Sequence, residues 1–238
     1  MEDSFSIKPV CPLAYNGTAR QAGERDIGMT AVQSSSREKI LAAARNEFWK
    51  HGFEKASLRT IAQQTQMTTG AIYGYFTSKQ ALFDALVEPA AAGLLALFEK
   101  AQEDFYALSP DRQGMEAMLD YTLAVSKRIT EALYANRDSF LLVLEKAGGT
   151  PWENYVDRFV EIEVKSTAEY IEICNVRSNE SVSPVSDILT HALARSYFSC
   201  LFEIFYNEPD ERIAAAYIQE LVRFYHSGYA SLFNQPRS

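Results

Sequence analysis

Between residues 36 and 88 the apolar positions recur every three or four residues, the period of a helix rather than of a strand. Ile40, Leu41, Ala44 and Phe48 make the buried stripe of a first helix. Ser35-Ser36-Arg37-Glu38, a capping-box pattern, predicts its start. Gly52 predicts its end as a left-handed cap, with Phe53 folding back. Ser57 is a good N-cap for a second, short helix carrying Leu58, Ile61 and Ala62 on one face. Met67 is an apolar plug at the bend that follows. Thr68 or Thr69 caps a third, in which Ile72 and Phe76 lie one turn apart. Thr77-Ser78-Lys79-Gln80 is a second capping box, and Leu82, Phe83 and Leu86 face inward behind it. Pro89 is expected to kink this fourth helix.

Downstream the same period continues without a convincing strand, so the fold class is all-α. Gly93–Leu108 extends the fourth helix, and Gln113–Ala135, about Asp138–Ala147 and Trp152–Asn175 follow. Gly148-Gly149-Thr150-Pro151 supplies a stop and a restart between the last two. Asn175–Ser183 reads as a polar loop, and Pro184–Tyr206 as an eighth helix. Asn207-Glu208-Pro209-Asp210 breaks it before a ninth that ends near Phe233. The last two helices are apolar over more than one face, which predicts burial on two sides. Residues 1–33 mix Pro, Gly and polar side chains without period and read as a disordered extension, and Met29 is a possible native start.

The third helix departs from the pattern in an informative way. Apart from Ile72 it shows Thr68, Thr69, Gly70, Ala71, Tyr73, Gly74 and Tyr75, which are small, hydroxyl-bearing or aromatic, and uncharged. A glycine inside a helix costs about 1 kcal/mol against alanine, so two within two turns are a poor choice for stability. They suit a helix whose backbone must be approached closely, as by the wall of a DNA groove. The second and third helices therefore read as a helix-turn-helix with an exposed second member.

The run from Thr68 through Phe83, together with Ile40 to Ala44, Phe48, His51-Gly52-Phe53, Ser57-Leu58 and Ile61-Ala62, resembles the signature of TetR-type transcriptional regulators. The resemblance covers about residues 36–88. It implies a three-helix DNA-binding domain, residues 34–80, followed by a helical ligand-binding and dimerisation domain, residues 81–238. It also implies a homodimer whose eighth and ninth helices pair with their symmetry mates. Tyr197, Leu201, Phe205, Tyr217, Leu221 and Phe224 are the interface candidates.

Charge supports that division. The chain carries a net charge of -8, but residues 34–84 hold 7 basic against 4 acidic side chains while residues 85–238 hold 13 against 23. A local basic surplus at the helix-turn-helix is the footprint expected for phosphate. Three widely spaced cysteines with no CxxC point to a reducing cytoplasm and away from zinc or disulfides. No run of 18 apolar residues exists, so no membrane partner is expected. His51, His191 and His226 sit in no metal-binding spacing, and nucleotide-binding and nucleophile motifs are absent, so neither catalytic residues, cofactor nor metal are expected.

The reading is a ligand-responsive repressor that binds a two-fold symmetric double-stranded operator as a homodimer and is released by a small molecule. Tyr73, Tyr75 and Lys79 are expected on phosphates, with Lys79 at a helix N-terminus. Thr68, Thr69, Gly70, Ala71, Gly74 and Arg59, with the cap Ser57, are expected along base edges or neighbouring phosphates. Tyr121, Phe140, Trp152, Tyr155, Phe159 and Glu163 are the candidates for an effector pocket between the fourth and eighth helices, with Thr122, Ser166 and Tyr170 nearby in sequence pattern. The acidic character of this half favours a cationic or neutral aromatic ligand over an anion. Two alternatives share the composition: a dimeric DNA binder without inducer, architectural or replication-linked, and a helical protein-interaction module.

Overall fold

The computed structural model describes residues 25–109, 112–177 and 185–233. Nine helices follow one another in this described part: α1 Arg25–Lys55, α2 Leu58–Thr65, α3 Thr69–Tyr75, α4 Lys79–Tyr106, α5 Met115–Ala135, α6 Arg137–Lys146, α7 Tyr155–Arg177, α8 Asp187–Asn207 and α9 Glu211–Phe233. Two compact units divide at residue 38, Met1–Glu38 and Lys39–Ser238. In the first, the described part is helical. The second holds everything discussed below. The rest of the expected extension, residues 1–24, most of the expected polar loop, residues 178–183, and Pro184, the expected start of the eighth helix, lie outside the described residues.

Differences from the sequence reading concern where helices begin and bend. α1 starts at Arg25, so residues 25–33 of the expected extension are helical, because a capping-box pattern cannot stop a helix already under way. Gly52 has φ 70 and ψ 167. The positive φ matches the expectation, while the ψ puts it in extended backbone of the region that glycine alone occupies readily, not in a left-handed helical cap. Alanine at that φ/ψ is strained wherever its methyl points, and the space around it is open. Gly52→Ala is therefore expected to lower unfolding free energy by about 1–3 kcal/mol in urea titration.

α2, α3 and α4 are each started by a side chain reading back onto a free N–H group. Ser57 Oγ accepts from Thr60 N at 3.4 Å, Thr68 Oγ1 from Ala71 N at 3.1 Å, and Ser78 Oγ from Ala81 N at 2.9 Å. α2 ends at Gln66, a left-handed residue with φ 57, and Met67 N then reaches back to Ala62 O at 2.9 Å. This closes the tight turn that aims α3.

One hydrophobic core runs through the second unit without a break, from Ile40 to Ile218. Phe48 meets Phe83 edge-on at 5.1 Å and Phe53 meets it at 5.5 Å, so α1 and the start of α4 are locked together. α4 then crosses the expected domain boundary as a single helix. Leu82, Phe83, Leu86 and Val87 bury against the head, and Ala91, Leu94, Phe98, Ala101 and Phe105 bury in the body. An 18-residue window of α4 has a mean hydropathy of 1.7, apolar and long enough to cross a bilayer, although no unbroken apolar run betrays it. Its apolar side chains instead form the spine of this core. Pro89 is exposed within the helix, where it has no N–H to donate to the preceding turn.

Candidate DNA interface and effector cavity

α3 presents almost nothing to the core. Ile72 is buried, while Thr68, Gly70, Ala71, Tyr73 and Gly74 are exposed and Thr69 is half-buried. A Cβ built on Gly70 would find only Thr68 Oγ1, at 3.8 Å, and one on Gly74 would find nothing within 4 Å. Packing within the protein therefore gives no reason for glycine at either position. Arg59 is exposed on the neighbouring α2, and Tyr75 leans against the core with part of its ring outward. Ser57 is engaged twice: its Oγ caps α2, and its N–H donates to Glu47 Oε1 at 3.0 Å. Glu47 is a buried carboxylate of α1, so this bond fixes the entry of α2 onto α1.

Lys79 differs from the sequence reading. Its Nζ donates to Glu54 O at 3.0 Å and Ala56 O at 3.3 Å, and it lies 4.6 Å from the centroid of the Phe53 ring. The amine expected on a phosphate thus ties the carbonyl end of α1 to the start of α4. The reason is geometric: α1 ends beside the N-terminus of α4, and its last carbonyls need donors. Nothing local in the sequence signals that pairing, since the partners lie 23 and 25 residues away.

The second feature is a cavity of about 160 Å³ in the body, walled by α4, α5, α7, α8 and α9. Tyr121 and Glu163 line it, as expected from the sequence, and so do Thr122, Ser166 and Tyr170. Phe140, Trp152, Tyr155 and Phe159 do not, a correction to the sequence reading. All four are buried in the core, where Tyr155 and Phe159 meet edge-on at 5.2 Å and Phe159 and Phe202 at 5.6 Å. Their hydroxyl and indole groups are satisfied there, Tyr155 OH on Ala91 O at 2.8 Å and Trp152 Nε1 on Asp84 Oδ1 at 2.9 Å. Large aromatics at helical spacing fill the core first.

Gln102, Tyr106, Tyr197, Tyr225, His226 and Tyr229 line the cavity and were not expected there. Their hydrogen bonds are mostly internal. Ser166 Oγ donates to Gln102 Oε1 at 2.6 Å, Tyr121 OH to Ala101 O at 2.7 Å, and Tyr225 OH to Ser196 Oγ at 2.7 Å. His226 Nε2 lies 2.7 Å from Met115 O. Glu163 is the exception: its one hydrogen bond among the described residues comes from Gln102 Nε2 at 3.4 Å. Burial pushes its carboxyl up to about 7, with the Gln102 bond pulling weakly the other way. Burial, and then the neighbouring Glu163, also hold the Tyr197 and Tyr229 hydroxyls above the usual range.

The interface candidates divide. Leu201 and Phe205 are buried inside the protomer, and Tyr197 faces the cavity, stacked edge-on with Tyr225 at 5.3 Å. These three are corrections. α8 packs on both α7 and α9, so its wide apolar face is consumed within one chain. Leu221 is partly buried against the core. Tyr217 at 49% and Phe224 at 73% are exposed, and Ile213 joins them at 42%. At about 100° per residue, positions 213, 217 and 224 lie within about 40° of one another on α9. Ile188, Ala192, Ser199 and Tyr206 make a matching exposed line on α8, with small residues in its middle.

Comparison with known proteins agrees with this geometry. The family described as bacterial regulatory proteins, tetR family, matches residues 40–86. The HTH-type transcriptional repressor AcnR of Corynebacterium efficiens is 41% identical over 58 residues, which cover 24% of this chain and 31% of that protein. The HTH-type transcriptional regulator UidR of Escherichia coli is 34% identical over 78 residues, 33% of this chain and 40% of that protein. The chain thus spans between about a third and two fifths of the length of these curated relatives. Across the fold, a crystal structure of a TetR family transcriptional regulator, PfmR from Thermus thermophilus, superposes with a TM-score of 0.51 at 22% identity, covering 77% of this chain and 97% of that one.

Proposed function

We propose, from the match of residues 40–86 to the tetR family of bacterial regulatory proteins, that the chain is a member of that family: a cytoplasmic, ligand-responsive transcriptional repressor, binding its operator as a homodimer. The observation that carries the DNA half is the exposed, uncharged face of α3, with glycines that no internal contact explains. Thr68, Thr69, Gly70, Ala71 and Gly74 enter the major groove, Arg59 supplies the charged contact from α2, and Tyr73 and Tyr75 flank them on phosphates. Ser57 and Lys79 act one step back, holding α2 and the α1–α4 junction in register.

The cavity supports the ligand half. α4 carries cavity residues from Phe98 to Tyr106 on the same continuous helix whose first turns grip the head. A second route runs through α6: Arg45 of α1 pairs with Asp138 at 2.9 Å, and Ser139 Oγ donates to Leu86 O at 2.8 Å. A ligand that prefers one setting of α4 and α6 shifts the spacing of the two α3 helices, and only by its difference in affinity between settings. The test is fluorescence anisotropy on the DNA upstream of the protein's own gene, as a salt series against a scrambled duplex. The reading expects a saturable, sequence-preferring complex whose log affinity falls linearly with log salt. Equal affinity for both duplexes at every salt concentration would sink it in favour of a sequence-blind DNA binder.

A further inference from the structure

Among the described residues the cavity wall contains no lysine or arginine, and its one carboxylate there, Glu163, has an oxygen that accepts no hydrogen bond. Aromatic rings from two other helices line the same cavity, Tyr197 of α8 and Tyr225 and Tyr229 of α9, and Glu163 is near enough to act on the Tyr197 and Tyr229 hydroxyls. The Tyr229 hydroxyl is buried without a hydrogen-bond partner. An isolated carboxylate in such a place is poorly solvated, and the orphan hydroxyl, which can accept as well as donate, has unused lone pairs beside it. An anionic ligand finds no counter-charge here and meets Glu163. A ligand bearing a positive charge finds a carboxylate to neutralise and ring faces whose negative quadrupoles attract cations.

We propose that the cavity takes a monovalent organic cation with an aromatic or alkyl arm, its charge held between the Glu163 carboxylate and the faces of Tyr197, Tyr225 and Tyr229. The arm lies along the apolar wall of Phe98, Val125 and Phe198. This rests on the reading of the cavity as the effector site. It adds a chemical rule: charge on the ligand decides affinity, and Glu163 is the residue that reads it. The raised carboxyl of Glu163 fits this role, because a cation restores the ionised form that burial disfavours.

The probes are phenyltrimethylammonium, whose charge is permanent, and tert-butylbenzene, its neutral isostere. Equilibrium dialysis with the full-length protein at pH 8 is expected to give at least about tenfold tighter binding of the cation. Glu163→Gln is expected to remove that preference while leaving the neutral compound bound within about twofold. Equal affinities in the wild type, or a preference that survives in Glu163→Gln, overturn the proposal. A second readout needs no variant. With Glu163 titrating near 7, cation affinity falls about tenfold between pH 8 and pH 6, while that of the isostere stays flat. The other titratable groups facing Glu163 are Tyr106 of α4, Tyr121 of α5, Tyr170 of α7, Tyr197 of α8, and Tyr225, His226 and Tyr229 of α9. The series is therefore repeated on His226→Asn, and a pH response that vanishes there overturns the assignment to Glu163. Operator release, read in parallel, separates the two claims. Release by both probes alike keeps the effector site and rejects the charge rule. A charge preference with no release keeps the cation site and rejects the effector reading.

Discussion

Gly70→Leu is expected to abolish sequence-preferring DNA binding, a loss of about a hundredfold or more, while the protein melts at or slightly above the wild-type temperature. The two halves of this expectation have separate causes. In the free protein the first atom of the new side chain meets only Thr68 Oγ1, at an ordinary contact distance of 3.8 Å, and the position faces solvent. Leucine also has the better helix propensity, by about 0.8–1 kcal/mol. At the interface the same side chain stands where the backbone of α3 has to approach base edges. Holding the helix off the groove removes at least two contacts, each worth about 1–3 kcal/mol of discrimination. Gly70→Ala grades the effect, with a smaller affinity loss and a similar gain in stability. Anisotropy titration beside differential scanning calorimetry checks both. Wild-type affinity in Gly70→Leu would show that α3 does not enter the groove.

The part of this molecule that was legible in sequence is the part decided within one helical turn. Ser57 and Thr68 are caps because each side chain reaches an N–H three residues ahead, and residue type alone announces that, whereas the capping-box pattern put the start of α4 at Thr77 and the cap is one residue on, at Ser78. The exposed face of α3 was legible for the same reason, as an uncharged strip beside one buried Ile72. Gln66 was not, because a left-handed residue that is not glycine carries no compositional mark. Lys79 was assigned by position at a helix start, whereas its partners are carbonyls of a helix that ended over twenty residues earlier.

The body was legible as helices and illegible as surfaces. Phe140, Trp152, Tyr155 and Phe159 have the same spacing and chemistry as Tyr121 and Tyr170, yet only the latter two reach the cavity. What separates them is which helix packs opposite. The cavity lies among five helices, and α9 brings Tyr225, His226 and Tyr229 to it, residues whose pattern says nothing about α5. α8 shows the reverse error. Its broad apolar face suggested a surface shared with a second chain, and the fold instead surrounds it with two neighbours of its own chain, α7 and α9. Periodicity reports how much of a helix is buried, never against which partner.

That distinction sets the second large effect. Tyr217→Glu combined with Phe224→Glu is expected to give a folded monomer that has lost specific operator binding, whereas Leu201→Glu or Phe205→Glu is expected to give little folded protein. Leu201 and Phe205 are only 1% and 0% exposed, and a carboxylate there would lose its hydration with no partner, a cost of several kcal/mol against a total stability of about 5–15 kcal/mol. Tyr217 and Phe224 extend into solvent from α9, so glutamate is harmless to the protomer. In a symmetric pair the same two positions recur on both partners, and the double variant sets four carboxylates into one apolar contact. The monomer keeps its α3 face but loses the second half-site, and with it the effective concentration that makes two weak contacts one strong one, a factor of about 10²–10⁴. Sedimentation velocity with circular dichroism reads assembly and fold separately, and anisotropy reads the operator. A double variant that stays dimeric would place the interface off the Ile213–Tyr217–Phe224 stripe. A monomer that keeps full operator affinity would show that one α3 suffices, and the two-fold symmetry of the proposed operator would go with it.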